Sequence, residues 1–276
     1  MIPFNFQYCR PSTLAEARDA FRQLQNEGKR PMYYAGGSET ITMCRAGSIQ
    51  PGAVIDIKKI PECNGISEHE DSLDIGAACT LNQIKDAKLF PLLGLICGRI
   101  ADHTNQCRIT IGGNVCGTII YRETSLPLML SDAQISIWGE EGLKTVPFQS
   151  MFCGRMELAP GELVTKLHVP RWALHAPYFH AKHTAQEKID YPVVSMAALV
   201  HNGLRIAFSG LASRPFRSVR LETILNNTQE SVTSRVEKAA RLLQEHAYGD
   251  AEASGAYRIF VLKNTLTSLL EELNHG

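Results

Sequence analysis

The sequence predicts an α+β protein, with a larger N-terminal part and a smaller C-terminal part beginning near residue 175. Three observations carry that prediction. Short apolar runs alternate with capped helical segments over the first part of the chain. Asn202-Gly203 sits between two apolar runs and is the strongest short hairpin signal present. Beyond that hairpin the apolar residues recur at helical spacing.

Thr13-Leu14-Ala15-Glu16 reads as a capping box opening the first helix, with Leu14, Ala17, Phe21 and Leu24 on one face and Gly28 as the C-terminal cap. A strand over 32–35 and a short helix over 40–45, stopped by Gly47, follow. Strands are expected over 53–57 and 73–77. Thr80-Leu81-Asn82-Gln83 is a second capping box, opening a helix toward Leu89. Pro91 begins a further helix reaching about residue 101, and 102–108 is a polar loop. Strands over 134–138 and 143–146 flank the hairpin Gly139-Glu140-Glu141-Gly142, and a strand over 162–169 ends at Pro170. Residues 170–177 form a joint. Strands over 193–201 and 204–211 follow. Val236, Ala239, Ala240 and Leu243, then Leu262, Leu266, Leu269 and Leu273, mark two amphipathic helices.

Composition narrows the function. The chain has 276 residues, 44% hydrophobic and 20% charged, which places it among globular proteins. Lys plus Arg is 28 and Asp plus Glu is 28, a balance that argues against nucleic acid or an anionic membrane as partner. The N-terminus lacks a basic stretch followed by an apolar run, and no apolar stretch is long enough to span a bilayer, so a cytoplasmic protein is expected. None of the eight cysteines forms a CxxC pair; they read as free, buried thiols, with no iron–sulfur cluster in this chain. The nine histidines form no metal-ligand spacing and no catalytic triad, so no catalytic or metal-binding residue is expected.

Two glycine pairs carry the remaining signal: Ala35-Gly36-Gly37-Ser38 and Thr110-Ile111-Gly112-Gly113-Asn114. Successive N–H groups at such a turn form a nest for an anion, and glycine admits a close approach. Taken alone, each pair reads first as ordinary turn chemistry. Neither fits a GxGxxG or Walker pattern, and the surrounding chain does not read as a βαβαβ repeat. Two facing nests suit a diphosphate.

The order of these segments goes further. Tyr8-Cys9-Arg10-Pro11-Ser12, Ala35-Gly36-Gly37-Ser38-Glu39, Val54-Ile55-Asp56-Ile57, Leu73-Asp74-Ile75-Gly76-Ala77, Thr110-Ile111-Gly112-Gly113-Asn114 and Pro160-Gly161-Glu162-Leu163 stand in one frame, closed by Lys182 and by the hairpin from Arg205 to Arg217. In that frame the chain resembles, over nearly its whole length, the FAD-binding subunits of the molybdenum hydroxylases, the family of xanthine dehydrogenase and carbon monoxide dehydrogenase. The resemblance implies a two-subdomain FAD-binding fold of the vanillyl-alcohol oxidase-like type over 1–172, divided near residue 57, and a C-terminal domain of antiparallel sheet and helices over 173–276.

It also implies a non-covalent FAD. Met32, Tyr33, Tyr34, Ala35, Gly36, Gly37, Ser38, Glu39 and Thr40 would run along the diphosphate. Thr110, Ile111, Gly112, Gly113 and Asn114 would close on it from the other side. Glu123, where the family usually has Asp, would contact the adenosine ribose, and Val164 the adenine. Lys182 would sit by the flavin ring; its residue-level alternative is a solvated strand lysine. Ile100 and Tyr191 would lie near that ring, or serve as a core helix residue and a strand-edge aromatic. The implied role is electron transfer. A large molybdenum subunit and an iron–sulfur subunit with [2Fe–2S] clusters are the expected partners, and NAD or another acceptor takes the electrons. A free-standing flavin oxidase or dehydrogenase of the same fold, and a non-catalytic nucleotide-binding assembly module, are the alternatives.

Overall fold

The computed structural model describes residues 1–275, and side chains through residue 273. The chain builds three sheets, each with its own hydrophobic core.

The first sheet comes from β1 (Gln7–Cys9), α1 (Leu14–Asn26), β2 (Pro31–Tyr34), α2 (Ser38–Ala46) and β3 (Ala53–Asp56). The strands are all parallel in the order β1-β3-β2. This is a small βαβαβ unit, a correction to the sequence reading. The three-residue, largely exposed β1 has no apolar run to announce it. Thr13 caps α1 by accepting from Glu16 N, but the Glu16 carboxylate returns to Ser12 N rather than to Thr13. Gly28, at φ +71°, closes the helix. Leu14, Ala17 and Leu24 pack on Ala53 and Ile55.

The second sheet holds β4 (Ile66–Glu68), β5 (Ser72–Gly76), β6 (Gln134–Gly139), β7 (Gly142–Pro147) and β8 (Leu163–Pro170) in the order β4-β5-β8-β6-β7, every pair antiparallel. Helices α3 (Leu81–Ala87), α4 (Pro91–Cys97), α5 (His103–Gln106), α6 (Ile111–Cys116) and α7 (Ser125–Leu130) enter between β5 and β6, α8 (Phe148–Met151) follows β7, and α9 (Arg171–His175) follows β8. The Thr80 capping box is complete at α3. Helix α4 stops at Cys97, short of residue 101, because Gly98 ends it and Ala101 is left-handed at φ +53°. The expected polar loop contains α5, capped by Asp102, and the expected joint contains α9.

The third sheet, β12-β11-β10-β9, is antiparallel: β9 (Tyr178–Thr184), β10 (Pro192–Val200), β11 (Leu204–Ser209) and β12 (Phe216–Arg217). Asn202 and Gly203 both take positive φ, as a tight hairpin of this twist requires. Helices α10 (Val219–Leu225), α11 (Val232–Gln244) and α12 (Gly255–His275) cover it. Leu262, Leu266, Leu269 and Leu270 face the core, whereas Leu273 is exposed. All eight cysteines are free, but Cys107, Cys116 and Cys153 are exposed rather than buried. Among the described residues no helix is long and apolar enough to cross a membrane.

Candidate cofactor site

A cleft of about 720 Å³ opens where the three sheets meet. Its wall begins at the end of β2. The buried Asp56 carboxylate accepts from Tyr8 Oη at 2.5 Å and from Lys58 Nζ at 2.8 Å. Lys58 Nζ also donates to the Ala35 carbonyl at 2.9 Å and lies 4.6 Å from the centre of the Tyr34 ring. This clamp fixes the chain just before the first glycine pair. Gly36 must be glycine because a Cβ would lie 1.9 Å from the Arg108 carbonyl oxygen. Gly37, at φ +74°, turns the backbone directly into α2. The predicted loop is therefore shorter than expected, and Ser38, Glu39 and Thr40 form the first turn of a helix.

That turn is open. Among the described residues, the N–H groups of Gly36, Gly37, Ser38, Glu39 and Thr40 have no acceptor, and the buried Ser38 hydroxyl has no partner. Unspent donors, an orphaned hydroxyl and the positive end of a helix dipole point to an anion. Glu39 does not face this space as a ligand group. Its carboxylate accepts from Thr118 N and Thr118 Oγ1, both at 2.6 Å, and so ties α2 to the loop after α6.

The second glycine pair is built differently. Ile111 N donates to the Cys79 carbonyl and Gly112 N to the Ala77 carbonyl, both at 2.9 Å. Thr110 Oγ1 accepts from Gly113 N at 3.1 Å, and Asn114 N donates to the Thr110 carbonyl at 2.8 Å. The N–H groups of Ile111, Gly112, Gly113 and Asn114 are thus all spent inside the protein, the first two on carbonyls of the 77–79 segment. Gly112 packs on Ala77, where a Cβ would come within 2.8 Å. Only Gly113, Asn114 and Thr110 of this segment line the cleft.

At the base of the cleft, Lys182 Nζ donates to Glu123 Oε2 and to the Arg99 carbonyl, each at 2.8 Å. Both side chains are buried, and Glu123 Oε1 has no partner among the described residues. The charged heads touch, so the two residues stand at one point in the base of the cleft. Beside them, Arg99 donates to His180 Nδ1 at 2.9 Å, which leaves His180 Nε2–H to donate to Ser195 at 3.2 Å. Burial first, then the Arg99 and Lys182 charges, push the His180 pKa down to about 3.

Met32, Tyr33, Ala35, Ile100 and Tyr191 lie on the cleft wall as well. Tyr34, Ile111, Gly112 and Val164 do not: Tyr34 stacks against Lys58, Ile111 and Val164 are core residues, and Gly112 is spent on packing. Sequence reasoning missed Tyr121, Arg122, Thr118 and Glu252, all on the wall. Their only signal is nearness to Glu123 or, for Glu252, none at all. Volume, mixed lining and few convergent polar groups match a cofactor cleft. A diphosphate fits the open turn of α2, and planar rings fit the walls of Ile100, Tyr121 and Tyr191.

Fold and site thus define an α+β protein with a cleft for a dinucleotide cofactor. Residues 4–172 match the family described as the FAD binding domain in molybdopterin dehydrogenase, and the chain belongs to that family. It is similar to the xanthine dehydrogenase FAD-binding subunit of Escherichia coli O157:H7, with 25% identity over 285 residues covering 98% of this chain and 96% of the relative. It is also similar to the carbon monoxide dehydrogenase medium chain of Hydrogenophaga pseudoflava, 26% identical over 285 residues, covering 97% of this chain and 98% of that one. The solved structure of carbon monoxide dehydrogenase from that organism superposes with a TM-score of 0.83 at 25% identity, covering 97% of this chain and 96% of that chain. Quinoline 2-oxidoreductase from Pseudomonas putida 86 shares the fold, with a TM-score of 0.83 at 21% identity over 98% of this chain and 96% of that one. The chain is an FAD-binding oxidoreductase subunit of the molybdenum hydroxylase type.

Proposed function

We propose that this chain is the electron-transferring flavoprotein subunit of a cytoplasmic, xanthine dehydrogenase-like complex. The observation that carries the reading is the open first turn of α2, with its unspent N–H groups and the orphaned Ser38 hydroxyl, in a chain that matches FAD-binding subunits from end to end. When bound, FAD supplies two-electron chemistry that links [2Fe–2S] clusters on a partner subunit to NAD or another acceptor. A third, large subunit carries the molybdenum cofactor.

The residues of this chain then have stated tasks. Gly36 to Thr40 hold the diphosphate by backbone donors, and Ser38 adds its hydroxyl. Gly113 leaves room for the cofactor beside Thr110 and Asn114. Lys182, neutralised by Glu123, presents a fixed cation at one end of the cleft, and Glu123 Oε1 accepts from the cofactor. Ile100 and Tyr191 border the ring. Residues 1–57 and 58–172 are the two halves of the FAD-binding domain, and 173–276 are a separate C-terminal domain.

The test is purification of the full chain alone and with its co-purifying subunits. Non-covalent flavin, with absorbance near roughly 375 and 450 nm that leaves on denaturation, is expected in both preparations. Substrate turnover is expected only in the complex. Turnover by the isolated chain would sink the subunit reading.

A further inference from the structure

We propose that Arg258, on α12 and outside the region matched to the FAD-binding family, is a positioning residue for the cofactor cleft: it fixes the aromatic pair Tyr121 and Tyr191 on the cleft wall. The proposal rests on the FAD reading of the cleft.

Arg258 is fully buried. Its guanidinium holds two arms of the site at once. One nitrogen, Nη1, shares its two N–H groups among the carbonyls of Pro192 at 3.1 Å, Val193 at 2.5 Å and Gly210 at 2.6 Å, and so fixes the chain directly after Tyr191. The other, Nη2, meets the Asp250 carboxylate. Asp250 in turn accepts from Glu252 N at 2.9 Å, from Ala253 N at 3.2 Å and from the Tyr121 hydroxyl at 3.1 Å. The rings of Tyr121 and Tyr191 stack with centroids 4.7 Å apart and planes 22° apart. Both rings, and Glu252, line the cleft. Burial and the Asp250 charge push the Tyr121 hydroxyl pKa up to about 12, which keeps it a donor.

Each tyrosine is therefore anchored to the same buried group by a separate route. The planar fork of arginine can reach three carbonyls and a carboxylate together; the point charge of lysine cannot. Arg235 supplies the contrast. It is also buried in the C-terminal part, but it caps the Leu225 carbonyl at 2.7 Å and does not line the cleft.

The test uses the full chain loaded with FAD, and reads flavin emission, FAD affinity and melting temperature. Tyrosine rings in contact with a flavin quench its emission, so emission reports ring position. Arg258→Lys and Asp250→Asn are expected to raise bound-flavin emission at least about threefold and to weaken FAD about tenfold. Tyr121→Phe keeps the ring and loses only its tie, with an expected effect of about threefold. Arg235→Lys is expected to lower the melting temperature as Arg258→Lys does, while emission and affinity stay within about twofold of wild type.

Arg258→Lys that melts early but matches Arg235→Lys in emission and affinity would overturn the proposal. If Arg258→Lys does not fold, Asp250→Asn and Tyr121→Phe decide, and unchanged emission in both overturns it. A wild-type chain that takes up no FAD overturns the cofactor reading and this proposal together. Wild-type binding with unaffected variants overturns this proposal alone.

Discussion

Gly36-Gly37 and Gly112-Gly113 each precede or open a helix, and each stands beside a hydroxyl residue, yet their backbones are in opposite conditions. At the first pair the N–H groups from Gly36 to Thr40 have no acceptor among the described residues. At the second, those of Ile111, Gly112, Gly113 and Asn114 all have one. The reason lies in the caps. Gly37 supplies a left-handed turn but no side chain, so α2 begins uncapped. Thr110 caps α6 with its own hydroxyl, and the β-bridge between Thr80 and Thr110 brings carbonyls of the preceding segment against it. A glycine pair in sequence thus marks close approach, and only the cap says whether donors remain for a ligand.

Substitutions at the glycines break this comparison most severely. Gly36→Val sets side-chain carbons against the Arg108 carbonyl, 1.9 Å from the Cβ position, and separates the two cleft-lining segments. FAD affinity should fall more than about a hundredfold, with helical circular dichroism retained. Gly113→Val should match that loss by filling the cleft, since its Cβ meets only Thr110 Oγ1 at 2.9 Å. Gly112→Ala should act on the fold instead. Its Cβ meets the Ala77 backbone at 2.8 Å, and we expect about 1–3 kcal/mol of destabilisation in a urea titration.

The buried pair gives the next effect. Lys182→Met leaves the Glu123 carboxylate in the cleft base without its cation, at an expected cost of about 3–5 kcal/mol. Adding Glu123→Gln should recover much of that loss, because no unpaired charge remains; a strictly additive double variant would show that the pair is not coupled. Ser38→Ala is milder. The hydroxyl has no partner among the described residues, so melting should not change, while FAD affinity falls about fivefold to tenfold by equilibrium dialysis.

A last effect is confined to acid pH. His180 is neutral in the folded protein, with a pKa of about 3, and unfolding returns it toward its ordinary 6.5. The unfolded chain binds the extra proton between those values. His180 therefore costs nothing above pH 6.5 and removes stability as pH falls from 6.5 toward 3, with a slope of up to about 1.4 kcal/mol per pH unit. His180→Asn should flatten that part of the acid stability curve.

Much of the fold was legible because periodicity and caps agree. The Thr80 box, the Asn202-Gly203 hairpin and the apolar stripe of α12 are local signals that packing reinforces. The β1 strand was not legible, because its Tyr8 is fixed by a long-range bond to Asp56 rather than by an apolar pattern. The first half of the site was readable from Gly36-Gly37-Ser38 and from the family frame. The pairing of Glu123 with Lys182 and the contribution of Glu252 were not. These contacts join residues far apart in sequence, and no spacing rule encodes them.

Hydrogen exchange of the full chain, with and without saturating FAD, tests the central claim most directly. Amides from Gly36 to Thr40 should slow at least about tenfold on FAD binding, because the cofactor supplies their missing acceptor. Amides from Ile111 to Asn114 should already be protected without FAD and should change much less. Protection gained at Ile111 to Asn114, with none at Gly36 to Thr40, would contradict the account.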